Sequence, residues 1–160
     1  MVRPKDGEAI VDWLERWTFD RFITLASNDP LLSAHGDDER GLVRMRKLLR
    51  EWDARVNRKV VGPKWQTRPE DRIWGFFFLE KPASNPHWHG LVQFFPPWPD
   101  ARQDYEDRFD KWAPIYWKEL VPSGTVDVQN ITNQRGVAEY VAKSVGYALS
   151  FQNFVVPDEF

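Results

Sequence analysis

Two short stretches decide the fold: Ile73-Trp74-Gly75-Phe76-Phe77-Phe78-Leu79-Glu80 and His87-Trp88-His89-Gly90-Leu91-Val92-Gln93-Phe94-Phe95. Each is an apolar run of strand length, and Lys81-Pro82-Ala83-Ser84-Asn85-Pro86 breaks the chain between them, so the pair reads as a central β-hairpin. Working outward, residues 19–26 (FDRFITLA) alternate as a first strand that Ser27-Asn28-Asp29-Pro30 ends, and residues 125–132 (TVDVQNIT) alternate as a later one. Helical spacing links Ile10, Val11, Trp13, Leu14 and Trp17 near the start, then Leu42, Met45, Leu49, Trp52 and Val56, stopped by Gly62-Pro63. A third set, Tyr105, Phe109, Trp112, Tyr116 and Leu120, has the same period, with Pro114 expected to kink the helix or start a new one, and a last helix covers about residues 134–147. The order β-α-β-β-α-β-α with hairpin-linked strands predicts an α+β fold: a ferredoxin-like antiparallel sheet of about five strands with helices packed on it.

Composition bounds what such a fold can do. At 160 residues the chain has the length of one domain, and 42% hydrophobic with 15% aromatic residues suffices for a core. The absence of cysteine excludes disulfides, cysteine–zinc sites and thiol catalysis. No apolar run approaches the roughly 20 residues of a membrane helix, and the N-terminus lacks the apolar centre of a signal peptide, so a soluble intracellular protein without a membrane partner is expected.

The net charge of −2 conceals an asymmetry, because positions 40–68 hold ten basic residues against Glu51 and Asp53, a local +8. Such a segment suits a polyanionic partner, since steering follows the local field; a solvated helix face without a partner would give the same pattern.

The chemistry is concentrated in two places. His87 and His89 are two apart on a strand, so both imidazoles point to one face, as a divalent metal requires. Glu80 ends the preceding strand, where a hairpin sets its carboxylate across from the histidines or leaves it to pair with Lys81. His35 and Gln93 are weaker candidates for a third ligand. Two imidazoles and one carboxylate leave positions open for water or substrate, the arrangement of a catalytic centre. In the last helix, Val137, Val141 and Val145 form one stripe while Tyr140, Lys143 and Tyr147 gather on roughly the opposite side. A phenol becomes an effective nucleophile only beside a cation or metal, and Lys143 lies one turn from Tyr140; surface packing is the plainer use of such a pair.

Together, Phe22-Ile23-Thr24-Leu25, then Glu80 with Pro86-His87-Trp88-His89-Gly90-Leu91-Val92-Gln93-Phe94, then Tyr140-Val141-Ala142-Lys143 resemble the ordered motifs of the HUH endonucleases. The order, histidine pair first and tyrosine last, is similar to that of the rolling-circle replication initiators (Rep). The resemblance implies an HUH nuclease fold and a site-specific endonuclease that nicks and joins single-stranded DNA at a replication origin, in a hairpin or melted region. It implies Tyr140 as the nucleophile that forms a 5′-phosphotyrosyl link, Lys143 as the group orienting phosphate or phenolate, and His87, His89 and Glu80 as ligands of Mn²⁺ or Mg²⁺. Arg58, Lys59, Lys64 and Arg68 are expected to contact the DNA, and the acidic helix near residues 100–110 to face away from it. Tyr147, two turns from Tyr140, is assigned to packing or DNA contact, so the enzyme expected is of single-tyrosine type.

No Gly-x-x-x-x-Gly-Lys-[Ser/Thr] loop occurs, so residues 1–160 are expected to be one nuclease domain without a helicase, which a separate partner would supply. The compartment implied is the cytoplasm of a bacterial host, or the host nucleus for a eukaryotic virus. Two rival readings stay open: a single-tyrosine HUH transposase, although Ser144 stands where that group favours glutamine, and an Fe(II) oxygenase of the two-histidine, one-carboxylate type.

Overall fold

Alternation along the strands sends their residues to opposite faces, and the two resulting apolar sets are covered by different helices. The computed structural model describes residues 7–29, 39–80, 85–146 and 154–157; within these, the side chains at 7–10, 39, 142–146 and 154–155 stand outside the description. In chain order the elements are α1 (Gly7–Leu14), β1 (Arg21–Ala26), α2 (Glu39–Val60), β2 (Trp74–Glu80), β3 (His87–Gln93), α3 (Arg102–Leu120), β4 (Thr125–Asn130), α4 (Gln134–Gly146) and β5 (Phe154–Val155). Among the described residues no helix is long and apolar enough to cross a membrane.

The sheet is antiparallel with the order β4-β1-β3-β2-β5, so β3 lies between β1 and β2 and each half is a split β-α-β unit. Four strands of six or seven residues carry it, where about five were expected. The fifth, β5, is a two-residue pairing of Val155 and Phe154 with Phe77 and Phe78 at the outer edge of β2. Pro157, two residues beyond, has no N–H to continue a ladder.

One face is dry. Ile23, Leu25, Phe77, Leu79, Trp88 and Val92 meet Met45, Leu49, Trp52, Val56 and Val60 of α2 and Phe109, Ala113 and Trp117 of α3. Three indole N–H groups trapped there donate to backbone carbonyls: Trp52 to Ala113 at 3.0 Å, Trp88 to Met45 at 3.0 Å and Trp117 to Ala26 at 2.8 Å. Trp52 is fully buried as its spacing suggests, but Trp112 is only half-buried, stacked on Tyr116 beneath Lys59. The Phe77 ring lies over Gly75 and Gly90, where a Cβ would come within 2.3 and 2.6 Å of it, which accounts for the glycine that follows the histidine pair. Of the two expectations for Pro114, a new helix start is overturned, since α3 is helical throughout its 19 residues with Pro114 inside it.

The other face carries Phe22, Phe76, Phe78 and Leu91 beneath Val11 and Leu14 of α1 and Ala138 and Val141 of α4. Asn133 caps α4 by accepting the Gly136 N–H at 2.9 Å. Gln134 then fastens the helix to the entrance of β1, accepting from the Phe19 N–H at 3.0 Å and donating to the Phe19 carbonyl at 2.7 Å. These contacts hang α4 over the sheet with Tyr140 on its flank.

Candidate metal centre

Register brings the polar residues of three strands into one row. Glu80 is opposite His87 and Phe78 opposite His89 across β2 and β3, while Thr24 is opposite His89 across β1 and β3. Side chains facing each other in an antiparallel pair share a face, so all of these stand on the α4 side of the sheet. The row ends in β4 with the exposed Asp127, opposite Thr24.

The two histidines converge through the same atom. Nε2 of His87 is 3.1 Å and Nε2 of His89 is 2.9 Å from Oε2 of Glu80. Glu80, His87 and His89 offer one ligand atom each, all within 4.8 Å of one another. Burial alone would raise the Glu80 pKa; the hydrogen bonds and charge of His89, and then of His87, outweigh it and hold the carboxyl below its ordinary value. The negative charge is therefore kept at the point where both ring nitrogens meet.

Each imidazole has an outer partner. Nδ1 of His87 donates to the Asn85 carbonyl at 2.8 Å, and Nδ1 of His89 is 3.0 Å from the Thr24 hydroxyl. A carbonyl can only accept, so the His87 hydrogen sits on Nδ1 and, in the neutral ring, the Nε2 lone pair points at a carboxylate. That contact is satisfied only when a cation, a proton or a metal ion, lies between nitrogen and oxygen. Donors about 2.1 Å from an octahedral ion and at right angles are about 3.0 Å apart, and the observed separations of 2.9 and 3.1 Å match that edge. The donor set, the geometry and the outer hydrogen bonds thus fit a divalent ion.

Aromatic rings wall the site. Phe22 stacks on His89 with centroids 5.5 Å apart and planes within 7°, and Phe78 is 5.2 Å from the same ring. Tyr140 comes edge-on to Phe22 at 5.8 Å and to His89 at 6.4 Å, with 48% of its surface still exposed. The helical stripe suggested Tyr140 on the side away from the sheet. Val141 points inward as that stripe has it, but Ala138 is buried beside it and Tyr140 stands at the flank, edge-on to Phe22 and His89. Lys143 follows in α4, but its side chain stands outside the described residues, as do Tyr147, His35 and Lys81, the alternative partner for Glu80.

Other expected residues lie elsewhere. Gln93 is at the far end of β3, where its Oε1 accepts from the Thr18 N–H at 3.1 Å, so it is no third ligand. The basic segment is on the dry side of the sheet, because α2 buries its apolar stripe there. Arg58 and Lys64 are exposed on that side; Lys59 is 4.3 Å over the Trp112 ring, and Arg68 is paired with Asp71 at 2.6 Å. Acidic α3 packs beside α2 and meets it through Arg55 and Glu119 at 3.4 Å, so it too is turned from the histidines. The sequence reading gave no role to Thr24, Asn85 or Asn28. The one available signal was Thr24 as the lone polar residue of Phe22-Ile23-Thr24-Leu25.

No family model, curated protein or solved structure matches the chain.

Proposed function

We propose that this chain is a metal-dependent HUH-type endonuclease that nicks and rejoins single-stranded DNA through a covalent link to Tyr140. The observation that carries the reading is the meeting of the His87 and His89 Nε2 atoms at one Glu80 oxygen, with the exposed Tyr140 ring against His89. The β4-β1-β3-β2 order supports it, being that of a ferredoxin-like sheet.

Glu80, His87 and His89 would hold Mn²⁺ or Mg²⁺, which supplies Lewis-acid polarisation of a non-bridging phosphate oxygen. The Tyr140 hydroxyl oxygen attacks phosphorus as the bond to the 3′-oxygen breaks. The phenolic proton goes to solvent, and the departing 3′-oxygen takes one up to become a hydroxyl. One phosphodiester is exchanged for another, so a 3′-hydroxyl can reverse the step and join strands. Lys143, one turn from Tyr140, orients the phosphate or the phenolate. Phe22 and Phe78 fix the plane of His89 and keep water from one side of the ligands. Arg58, Lys59, Lys64 and Arg68, across the sheet, take no part in holding the scissile phosphate. The substrate class is an origin-like single strand in a hairpin or melted duplex, with unwinding left to a separate helicase, in a bacterial cytoplasm or a virus-infected nucleus.

The test is a randomised single-stranded oligonucleotide pool incubated with the protein and Mn²⁺ and resolved on a denaturing gel. A covalent protein–DNA band is expected, absent without metal and absent in Tyr140→Phe. A band that persists in Tyr140→Phe overturns the assignment of the nucleophile. A wild-type protein that forms none at any Mn²⁺ concentration overturns the function.

A further inference from the structure

We infer that the end of β1 with the two residues after it, from Thr24 to Asn28, is the positioning element that aims both site histidines at Glu80; its purpose rests on the metal-binding reading above. An imidazole has two nitrogens and a free χ2, so a strand position alone does not decide which nitrogen faces the carboxylate. The outer hydrogen bond decides it, and β1 governs that bond for both rings.

For His89 the control is direct. Thr24 is its cross-strand partner, and Oγ1 is 3.0 Å from Nδ1, leaving Nε2 for Glu80. A hydroxyl accepts as readily as it donates, so the contact holds whichever nitrogen carries the hydrogen. For His87 the residue opposite is Ala26, whose methyl offers nothing, and the bond comes from the Asn85 carbonyl. Asn85 is in turn clasped by the residues that follow Ala26. Its Oδ1 accepts from the Asn28 N–H at 2.9 Å and the Ser27 hydroxyl at 3.3 Å, and its Nδ2 donates to Asn28 Oδ1 at 2.8 Å.

Asn28 has φ of 49°, in the left-handed region that asparagine tolerates better than most residues. This backbone turn lets its amide face Asn85 on one side and donate to Thr125 Oγ1 and the Ser123 carbonyl, at 3.0 and 3.2 Å, on the other. One asparagine thereby locks the end of β1, the turn before His87 and the start of β4 together. Thr24 and Asn28 are positioning residues: they touch the ligands or the turn that carries them, and no reacting atom.

The experiment is calorimetric titration of the full chain with Mn²⁺, beside the thermal stability of each metal-free protein. Outer partners of metal-bound histidines are worth about 10–100-fold in affinity. Thr24→Val, which keeps the shape and removes the hydroxyl, is expected to lose affinity in that range, and Thr24→Ser to regain most of it. Asn28→Gly, which permits the same φ and keeps the backbone N–H but removes the side-chain bonds to Asn85, Ser123 and Thr125, is expected to lose about tenfold. Unchanged melting of the metal-free variants separates this from a structural role. Should Thr24→Val fail to fold, Thr24→Ser and Asn28→Gly carry the test. Wild-type binding with equal binding by Thr24→Val and Asn28→Gly overturns this inference and leaves the metal reading standing. Wild-type protein that takes up no Mn²⁺ overturns both.

Discussion

The two faces of the sheet come from the same strands, read one residue out of step, and they solve opposite problems. On the dry face the core is built of apolar side chains and of the Trp52, Trp88 and Trp117 indoles, whose N–H groups are matched by carbonyls, and two long helices close over it. On the other face two smaller helices cover the middle and leave one end to Glu80, His87, His89 and Thr24, whose hydrogen bonds run to each other. The first face holds the strands in register; the second uses that register, since a one-residue slip would carry Glu80 and both histidines to the opposite side. Stability and chemistry are therefore divided by the thickness of one sheet.

The largest effect should come from the dry face. Trp52→Ala removes a ring 5.9 Å from Phe77 and 6.2 Å from Phe109, and is expected to cost about 3–5 kcal/mol in denaturant unfolding. Mn²⁺ affinity of the folded fraction should stay at the wild-type value; a loss as large as that of a ligand variant would break the division between faces.

A smaller effect is expected at Asp53, a carboxyl buried in the same face. Burial pushes its pKa up from 3.8 to about 7, against the pull of the Arg72 charge and the Asn57 amide. Between those values the native protein keeps a proton that the unfolded chain has lost, so stability falls as pH rises through this window. Asp53→Asn should remove that slope and gain on the order of 2 kcal/mol at pH 8, with little difference near pH 4. Parallel pH profiles for the two proteins would show that the carboxyl is not held neutral.

The smallest change in stability belongs to the site. Glu80→Gln keeps the shape and is expected to cost about 1 kcal/mol at neutral pH. The depressed Glu80 pKa makes its contribution one that is present above the ordinary carboxylate range and lost as pH falls through the folded value. The same variant should lose the rise in melting temperature that Mn²⁺ gives the wild type, because an ion that binds only the native state stabilises it by mass action. A Glu80→Gln protein still stabilised by Mn²⁺ would move the centre elsewhere.

What could be read from the sequence was what is local. Period-two alternation places His87 and His89 on one face, and a hairpin brings Glu80 across from His87, so these three were nameable from spacing. Tyr140 was nameable only as one residue of a helix; the stripe put Val137 and Val141 inward, as they are, but missed that Ala138 is buried with them and that Tyr140 stands at the flank, beside Phe22 and His89. Thr24 and Asn85 escaped because their roles depend on β1 pairing with β3, a register between segments some sixty residues apart. The basic segment shows the same limit: amphipathic spacing marks which side of α2 is buried, but not which face of the sheet receives it. Pro114 failed as a break signal inside an otherwise strong helical pattern, where Tyr105, Phe109, Ala113 and Trp117 bury the α3 stripe on both sides of it.

The double hydrogen bond between Gln134 and the backbone of Phe19 joins positions 115 apart. Closing so long a loop is expected to come late in folding, since its entropy is met only after the strands it connects are in place. The hairpin can bring Glu80 and the histidines together early, from neighbouring stretches of chain, but Tyr140 reaches them only when α4 docks. By the same token α4 is the piece that can detach while the dry face stays intact, through a local opening that costs less than global unfolding. Tyr140, the proposed nucleophile, is thus expected to be the last part of the site to be seated and the first to be released.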